Sequence, residues 1–262
     1  MARCGCFMGV KLVLMALLCS LPLVTRAGMV TNSLDRTGPE NYPVDGQASL
    51  PHMADSNAVG AMAKSVIELP KGSAPLVAEA QRYFSAGQYD KAEADYREIL
   101  KSDPSNAPVL ANLAAIELQE QKVADAETHI TAALLQRPED AYNLLVLGEI
   151  KFHQDKFDDA LDTLERAAKL DPQNPEIQNF LGVTLAQKGM LARAETALRN
   201  AIQLDPNYAA AHNNLAVTYL GEKPPLAGLA RWHYQKALDN GQPRNPDLEK
   251  LLADKGAPVN PQ

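Results

Sequence analysis

The feature that most constrains the fold of this 262-residue chain is a period of 34 residues. One alanine recurs four times at that spacing, and one proline recurs in step with it. The two series are Ala92, Ala126, Ala160 and Ala194, and Pro104, Pro138, Pro172 and Pro206. A third series keeps a small residue at Ala80, Ala114, Gly148, Gly182 and Ala216, and a fourth keeps a large apolar residue at Tyr96, Ile130, Leu164 and Leu198. A chain with such a period builds one supersecondary unit several times over.

The residues within each period indicate a pair of helices. One period accommodates two helices of about 14 residues and two short turns, and the small residues allow antiparallel helices to approach closely. Each proline ends a second helix, because the residue before a proline is disfavoured in the α region. Gly87 and Gly189 fall at the turn between the helices, where a residue without Cβ can adopt positive φ. One hairpin cannot bury its apolar faces alone, so neighbouring units must stack.

These four series resemble the tetratricopeptide repeat, in which a small residue, an alanine, an aromatic or aliphatic residue and a closing proline recur. The resemblance extends from Ser73 to about Gln242 and implies an all-α, right-handed α-solenoid of about five helical hairpins. The predicted repeats are 73–106, 107–140, 141–174, 175–208 and 209–242, followed by a capping helix and tail over 243–262.

The same period predicts the helix positions. We expect helices at about 75–86, 89–102, 107–120, 123–136, 141–154, 157–170, 175–188, 191–204 and 209–221. In the fifth unit the second-helix pattern arrives two residues late, after Pro224 and Pro225, so its turn must be longer. A short helix beginning near Asn245 and Pro246 then covers the exposed end of the stack with Leu248, Leu251 and Leu252.

The first 27 residues have the pattern of a secretory signal peptide. Arg3 and Lys11 precede an apolar run over 12–24, which ends in Thr25-Arg26-Ala27, and a run of that length is too short to span a bilayer. We expect cleavage near Ala27 and an exported protein, in the periplasm first, with secretion or envelope association as alternatives. An uncleaved anchor and an overlong gene start also fit, since Met8 would open a good signal.

All three cysteines lie inside this segment, so a mature chain would have no thiol for catalysis, a disulfide or zinc. Residues 28–72 are rich in Gly, Pro, Asn and Ser and are predicted to form a flexible tether. One amphipathic stretch, Val59 to Leu69, interrupts the tether. It is interpreted as residual disorder, as an extra helix packed on the first repeat, or as a segment that fills the groove of its own or a neighbouring chain.

Composition and motifs argue against catalysis and nucleic-acid binding. The chain has 25 Lys and Arg against 32 Asp and Glu, whereas phosphate contacts need a basic face. The five histidines are scattered, and the sequence has no Walker A loop, nucleophile elbow or dinucleotide fingerprint. We therefore predict a non-enzymatic protein with no metal, no cofactor and no nucleic-acid partner, which meets a membrane only through an uncleaved signal.

The resemblance implies that the first helix of each unit lines a concave groove. We expect apolar anchors and amides there, because exposed apolar residues mark interaction sites and amides match a peptide backbone. The predicted peptide-binding residues are Phe84, Asn112, Leu118, Tyr142, Leu145, Glu149, Phe152, Asn179, Val183, Asn213, Asn214 and Val217. The alternative is that these residues pack locally, and we expect about half of the apolar ones to be buried against a neighbouring helix.

The charges in this groove predict the chemistry of the partner. Positions at which related repeats grip an acidic chaperone tail hold Val77, Gln81, Tyr142 and Val146, so a carboxylate clamp is not expected. Because Glu149 and Glu176 fall on the same face, a neutral or basic apolar segment is favoured. The sequence thus predicts an exported adaptor that binds a peptide or helical segment of an envelope protein, in assembly, secretion or pilus biogenesis. A self-associating solenoid scaffold without a peptide ligand is the alternative.

Overall fold

The computed structural model describes residues 72–254, and these residues form helices joined by short turns, with no strand among them. The eleven described helices are α1 Ala74–Ser85, α2 Tyr89–Ser102, α3 Ala107–Gln119, α4 Val123–Gln136, α5 Ala141–His153, α6 Phe157–Leu170, α7 Pro175–Gln187, α8 Leu191–Leu204, α9 Ala209–Gly221, α10 Ala227–Asp239 and α11 Pro246–Asp254. The all-α fold predicted from the period is confirmed, and α1 to α9 begin and end within one residue of the predicted ranges. The signal segment, the tether and the Val59 to Leu69 stretch lie outside the described residues.

Side-chain caps fix the start of three of the first helices. Asn106, Asp140 and Asn174 each accept a hydrogen bond from a backbone N–H in the first turn of α3, α5 and α7. These bonds satisfy donors that a helix leaves unpaired at its N-terminus. Each of these caps lies two residues after a proline, so three of the four proline turns contain a stop signal and a start signal in close succession. Tyr208, two residues after Pro206, has no side-chain cap.

The turn between paired helices needs one residue in the left-handed region. Gly87 and Gly189 adopt φ of 69° and 74° there, and Gln121 and Asp155 adopt φ of 63° and 59° at the two equivalent positions. The four residues are spaced 34 positions apart, so the hairpin requires a left-handed residue at this position whether or not that residue is glycine. Gln121 and Asp155 accept a conformation that their Cβ atoms disfavour.

The described residues divide after Arg137 into two compact units. In the first unit, residues 72–137, α1 pairs with α2 and α3 pairs with α4, while α2 also packs on α3. Its core combines the recurring small and large positions of the period, including Ala80, Tyr96 and Leu113, all of which are buried. Exclusion of this apolar surface from water is the main stabilising contribution.

The second unit, residues 138–254, contains three helix pairs and the C-terminal helix α11. Successive first helices contact one another, α5 with α7 and α7 with α9. The turn between α9 and α10 spans residues 222–226, whereas the other helix pairs are joined by three residues. Leu248 and Leu252 of α11 are buried in the core of this unit, and the Asn245 side chain caps α11 by accepting from the Leu248 N–H at 3.1 Å. The helix predicted to cover the end of the stack is therefore present.

The small residues of the third series allow the helix pairs to approach closely. A Cβ atom built on Gly148 would lie 2.6 Å from Leu164 Cγ, and one built on Gly182 would lie 2.6 Å from Leu198 Cγ. Both distances are shorter than any normal carbon–carbon contact. In the second unit the period thus pairs a glycine on the first helix with a leucine on the second.

Candidate functional site

The predicted groove residues of the first unit are mostly used for packing. Leu118 is buried, and Asn112 is buried with its Nδ2 donating to the Tyr96 hydroxyl at 3.3 Å, across α2 and α3. This bond is the local alternative that the sequence left open for the amide. Phe84 is half-buried, and its ring centroid lies 5.6 Å from that of Tyr89. Their role in peptide binding stays a prediction.

The predicted groove residues of the second unit lie on α5, α7 and α9, the three first helices that contact one another. They are buried or nearly so, as are all ten residues from Ala211 to Leu220. The buried members are Leu145, Glu149, Phe152, Asn179, Val183, Asn213, Asn214 and Val217. Tyr142 and the unassigned Phe180 remain partly exposed. The predicted groove is therefore more enclosed than expected, because five of its seven predicted apolar residues are buried, namely Leu118, Leu145, Phe152, Val183 and Val217.

Phe152 differs from its expected role as an exposed anchor. The residue is 3% exposed, belongs to the core of the second unit and packs edge-on against Phe157 with ring centroids 5.3 Å apart. Because Phe157 begins α6, the contact ties the two helices of one hairpin together. Truncation of Phe152 would therefore destabilise the fold by about 3–5 kcal/mol.

Two asparagines meet between α7 and α9. Asn214 Nδ2 donates to Asn179 Oδ1 at 2.9 Å, and the two residues are 0% and 1% exposed. Within residues 72–254 their remaining polar atoms, Asn179 Nδ2 and Asn214 Oδ1, have no hydrogen-bond partner, and neither has Asn143 Nδ2 on α5. The asparagine pair thus leaves one donor and one acceptor unused, which is the combination that a peptide group complements.

A second polar group is formed by Glu149 on α5, Glu176 on α7 and Tyr208, which precedes α9. Burial raises the pKa of Glu149 well above its ordinary value, and the charge of Glu176 raises it further. Burial also raises the pKa of Glu176, and that of Tyr208 is raised by burial and by both carboxylates. Among the described residues no cation or hydrogen-bond donor pairs with either carboxyl group. We call Glu149, Glu176 and Tyr208 the acidic hollow.

The second unit also contains a histidine pair that no sequence pattern indicated. His212 on α9 and His233 on α10 lie with their Nδ1 atoms 2.9 Å apart, and both are buried. His212 Nε2 lies 3.2 Å from the Pro206 carbonyl oxygen, so Nε2 carries the proton and donates. Nδ1 of His212 must then accept from His233, whose Nε2 is buried and has no partner among the residues that the structure describes. Burial lowers the pKa of both residues, that of His233 to about 3.

The first unit contains a buried ionic cluster that was also not predicted. Glu117 has no exposed side-chain area and binds Arg97 Nη2 at 3.0 Å and His129 Nδ1 at 2.7 Å. The equivalent positions one and three periods away hold Tyr83 and Tyr219. An acid at a position where two other units have tyrosine was the sequence signal that could have indicated this cluster. The cluster joins α2, α3 and α4, so its role is structural.

Within residues 72–254 no group of three or more His, Cys, Asp and Glu is arranged to hold a metal ion. The helices of the same range are also too short or too polar to cross a membrane. The polar chemistry of the described chain is therefore concentrated in amides, carboxyls and the histidine pair.

Comparison with known proteins identifies the family. Two tetratricopeptide-repeat family models match the chain, one over residues 83–150 and the other over residues 145–209. This chain contains tetratricopeptide repeats over residues 83–209. The matches span the helix pairs described above, and they confirm the resemblance carried by the alanine and proline series.

Similar curated proteins share only the repeat region. A Dictyostelium discoideum DnaJ homolog subfamily C member 7 homolog is 27% identical over 44% of this chain and 22% of its own length. The human RNA polymerase II-associated protein 3 is 30% identical over 40% of this chain and 16% of its own length. Since the chain spans about a fifth of these relatives, they establish a common repeat and not a common activity.

Solved structures confirm the solenoid fold. The chain is similar to TTC0263, a tetratricopeptide-repeat protein of Thermus thermophilus, with a TM-score of 0.59, 22% identity and coverage of 70% of this chain and 98% of that one. It is similar to Pseudomonas aeruginosa pilF with a TM-score of 0.59, 21% identity and coverage of 74% and 85%. At these identities the likeness extends to the fold alone.

Proposed function

We propose that this tetratricopeptide-repeat protein is an exported, non-enzymatic adaptor whose second unit binds an extended or helical segment of another envelope protein. Assembly, secretion and pilus biogenesis are processes that such an adaptor would serve. This bound segment, called the guest below, lies along α5, α7 and α9, the first helices of the three hairpins of that unit.

The asparagine pair of α7 and α9 carries the proposal. A buried donor or acceptor without a partner costs about 1–3 kcal/mol, and Asn179 Nδ2 and Asn214 Oδ1 are both in that state. Folding alone gives no reason to keep them, because apolar residues of similar volume would fill the same space. A guest backbone offers a carbonyl to the free donor and an N–H to the free acceptor, and binding would therefore satisfy both.

Partly exposed aromatic side chains on two of the same first helices give the guest a first point of contact. Phe180 follows Asn179 on α7, and Tyr142 lies near the start of α5. Aromatic residues with accessible faces are common energetic centres of protein interfaces. Since Asn179 and Asn214 are enclosed in the unbound chain, we expect the guest to exchange the contacts that enclose them for its own.

Selection from a phage-displayed library of random dodecapeptides tests the proposal. We expect enriched peptides whose synthetic versions bind the full chain and lose at least about tenfold in affinity on replacement of Tyr142 and Phe180 by alanine. The control is Leu170→Ala, which removes a 45% exposed leucine from α6, a second helix of the same unit. Equal binding by the aromatic variant, or failure to enrich any peptide, would contradict the proposal.

Export has a separate test. Residues 1–27 are fused to alkaline phosphatase, an enzyme that needs disulfides formed outside the reducing cytoplasm. We expect phosphatase activity from the fusion and none when a lysine pair interrupts the apolar run over 12–24. An inactive fusion would remove export from the proposal and leave peptide binding unaffected.

A further inference from the structure

We infer that the guest segment carries a lysine or arginine whose cation lies between the carboxylates of Glu149 and Glu176, beside the Tyr208 hydroxyl. The inference rests on the proposed function, since it defines the chemistry of the segment that the second unit binds. The inference goes beyond the proposed function because it assigns the acidic hollow as the site that selects a basic residue of the guest.

The acidic hollow is formed by three elements of one unit. Glu149 lies in the middle of α5, Glu176 lies in the first turn of α7, and Tyr208 precedes α9. Because α5 packs against α7 and α7 packs against α9, the three residues lie in one region of the unit. In agreement with this placement, both carboxylates raise the pKa of Tyr208, and Glu176 raises the pKa of Glu149. Glu149 is 7% exposed. Joint ionisation of two acids in a largely dehydrated place is costly, and a positive charge that arrives between them would stabilise both ionised forms.

The period shows that the fold does not need these acids. One and two periods after Glu149 the equivalent residues are Val183 and Val217, both buried at 1% exposure. One period before and after Glu176 they are Tyr142 and Ala210. Apolar residues therefore suit both positions, and an unpaired buried carboxylate is less stable than an apolar residue of similar volume. The acids are explained by a partner that binds them.

An amide next to the acidic hollow points to the same ligand. Asn179 follows Glu176 by three residues on α7, so both side chains lie on one face of that helix. Asn179 is 1% exposed, and its Nδ2 has no acceptor in the described part of the chain. A basic residue within a polypeptide supplies both missing groups, since its cation pairs with the carboxylates and a backbone carbonyl accepts from the amide.

The surroundings favour an organic cation over a metal ion. Asp205 also acts on Tyr208, but no group of three or more His, Cys, Asp and Glu within residues 72–254 is arranged to hold a metal ion. Divalent cations in proteins take about six or more oxygen ligands. The partly exposed rings of Tyr142 and Phe180 instead suit the aliphatic part of a lysine or arginine side chain.

Matched peptides test the inference without relying on one protein variant. Each library-selected peptide is synthesised with its basic residue and with norleucine, which keeps an aliphatic chain and removes the charge. Binding of both forms is measured by calorimetry to the wild-type chain and to Glu149→Gln and Glu176→Gln. Asp162→Asn is the charge control, because Asp162 is an exposed acid on the second helix α6.

We expect the norleucine form to bind the wild-type chain at least about tenfold more weakly than the basic form, since truncation of one member of a buried charge pair is costly. Glu149→Gln and Glu176→Gln should weaken the basic form by a similar factor and leave the norleucine form unchanged, while Asp162→Asn should leave both unchanged. Circular dichroism is expected to show full helical content in each variant. If Glu149→Gln loses helix, the comparison of the two peptides on the wild-type chain still decides the question.

The outcomes separate the two proposals. Selected peptides that lack a basic residue, or equal binding of the lysine and norleucine forms, would overturn the inference. In that case, binding that still depends on Tyr142 and Phe180 would support the proposed function. Binding that is insensitive to those aromatic residues would instead overturn the proposed function. If Asp162→Asn lost as much peptide affinity as Glu149→Gln, the loss would result from the change in net charge alone. That result would also overturn the inference.

Discussion

Replacement of Gly148 by alanine tests the packing rule on which the hairpins depend. The new Cβ atom would lie 2.6 Å from Leu164 Cγ and 2.7 Å from Leu164 Cδ2, so either Leu164 or the helix backbone must move. The nearer atom is the branch point of the leucine and not its flexible end, and Leu164 has no exposed area into which to rotate. We therefore expect the strain to remain in the folded state.

Two opposing effects set the size of the change. Alanine is a better helix former than glycine by about 1 kcal/mol, whereas forcing an extra carbon into a packed core costs about 1–3 kcal/mol. The net expectation is a loss of about 1 kcal/mol in the free energy of unfolding. For a folded region of this size that corresponds to a decrease in melting temperature of about 2–4 °C.

Thermal melting followed by circular dichroism measures the effect, with Gly228→Ala as the matched control. A Cβ atom built on Gly228 has no neighbour within 4 Å, and the residue is exposed in the first turn of α10. The control should therefore gain up to about 0.5 kcal/mol from helix propensity. If Gly148→Ala stabilises the protein as much as Gly228→Ala does, close packing does not explain the small residue of the period.

Leu164→Ile in the Gly148→Ala background offers a second comparison. The equivalent pair one period earlier is Ala114 and Ile130, both buried with no exposed area. We expect part of the stability lost in the single variant to return in the double variant. Strict additivity of the two changes would refute the assignment of the strain to this side-chain pair.

Two further predictions concern the turn and the histidine pair. Gln121→Gly should raise the free energy of unfolding, measured by urea titration, by about 0.5–1 kcal/mol. The reason is that φ at this position is 63°, which glycine adopts without a Cβ penalty. A loss of stability would show that the contacts of the Gln121 side chain outweigh its backbone strain. His212 and His233 have lowered pKa values, so below about pH 6.5 the unfolded chain binds more protons than the folded one. Their contribution is complete above that pH and is lost as the pH falls toward about 3, with a slope of at most about 1.4 kcal/mol per pH unit for each histidine. Urea unfolding between about pH 4 and 8 should show a smaller slope for His233→Gln than for the wild-type chain, and equal slopes would contradict a neutral buried pair.

The sequence was sufficient for the helices because several independent signals agree at each boundary. Proline ends a second helix, and Asn106, Asp140 or Asn174 then caps the next first helix. The sequence indicated the left-handed turn residue in only two of the four hairpins. Glycine marks it at two positions, but Gln121 and Asp155 occupy it without a recognisable residue type.

Long-range side-chain partners could not be obtained from the sequence. His212 and His233 are 21 residues apart, and their alignment depends on the lengthened turn over 222–226. The enclosure of Asn214 was likewise not predictable, because the period assigns a residue to a helix face but does not say how closely the neighbouring helices cover that face. The sequence placed Glu149 and Glu176 on one face, whereas their electrostatic effect on Tyr208 follows from the packing of α5 on α7 and of α7 on α9.

Hydrogen exchange of the full chain, with and without a library-selected peptide, tests most directly whether the first helices of the second unit hold a guest. Added protection of the backbone amides in α5, α7 and α9, with little change in α6 and α8, is the predicted result. Protection confined to the second helices or to the first unit, or no change at saturating peptide, would contradict the central claim.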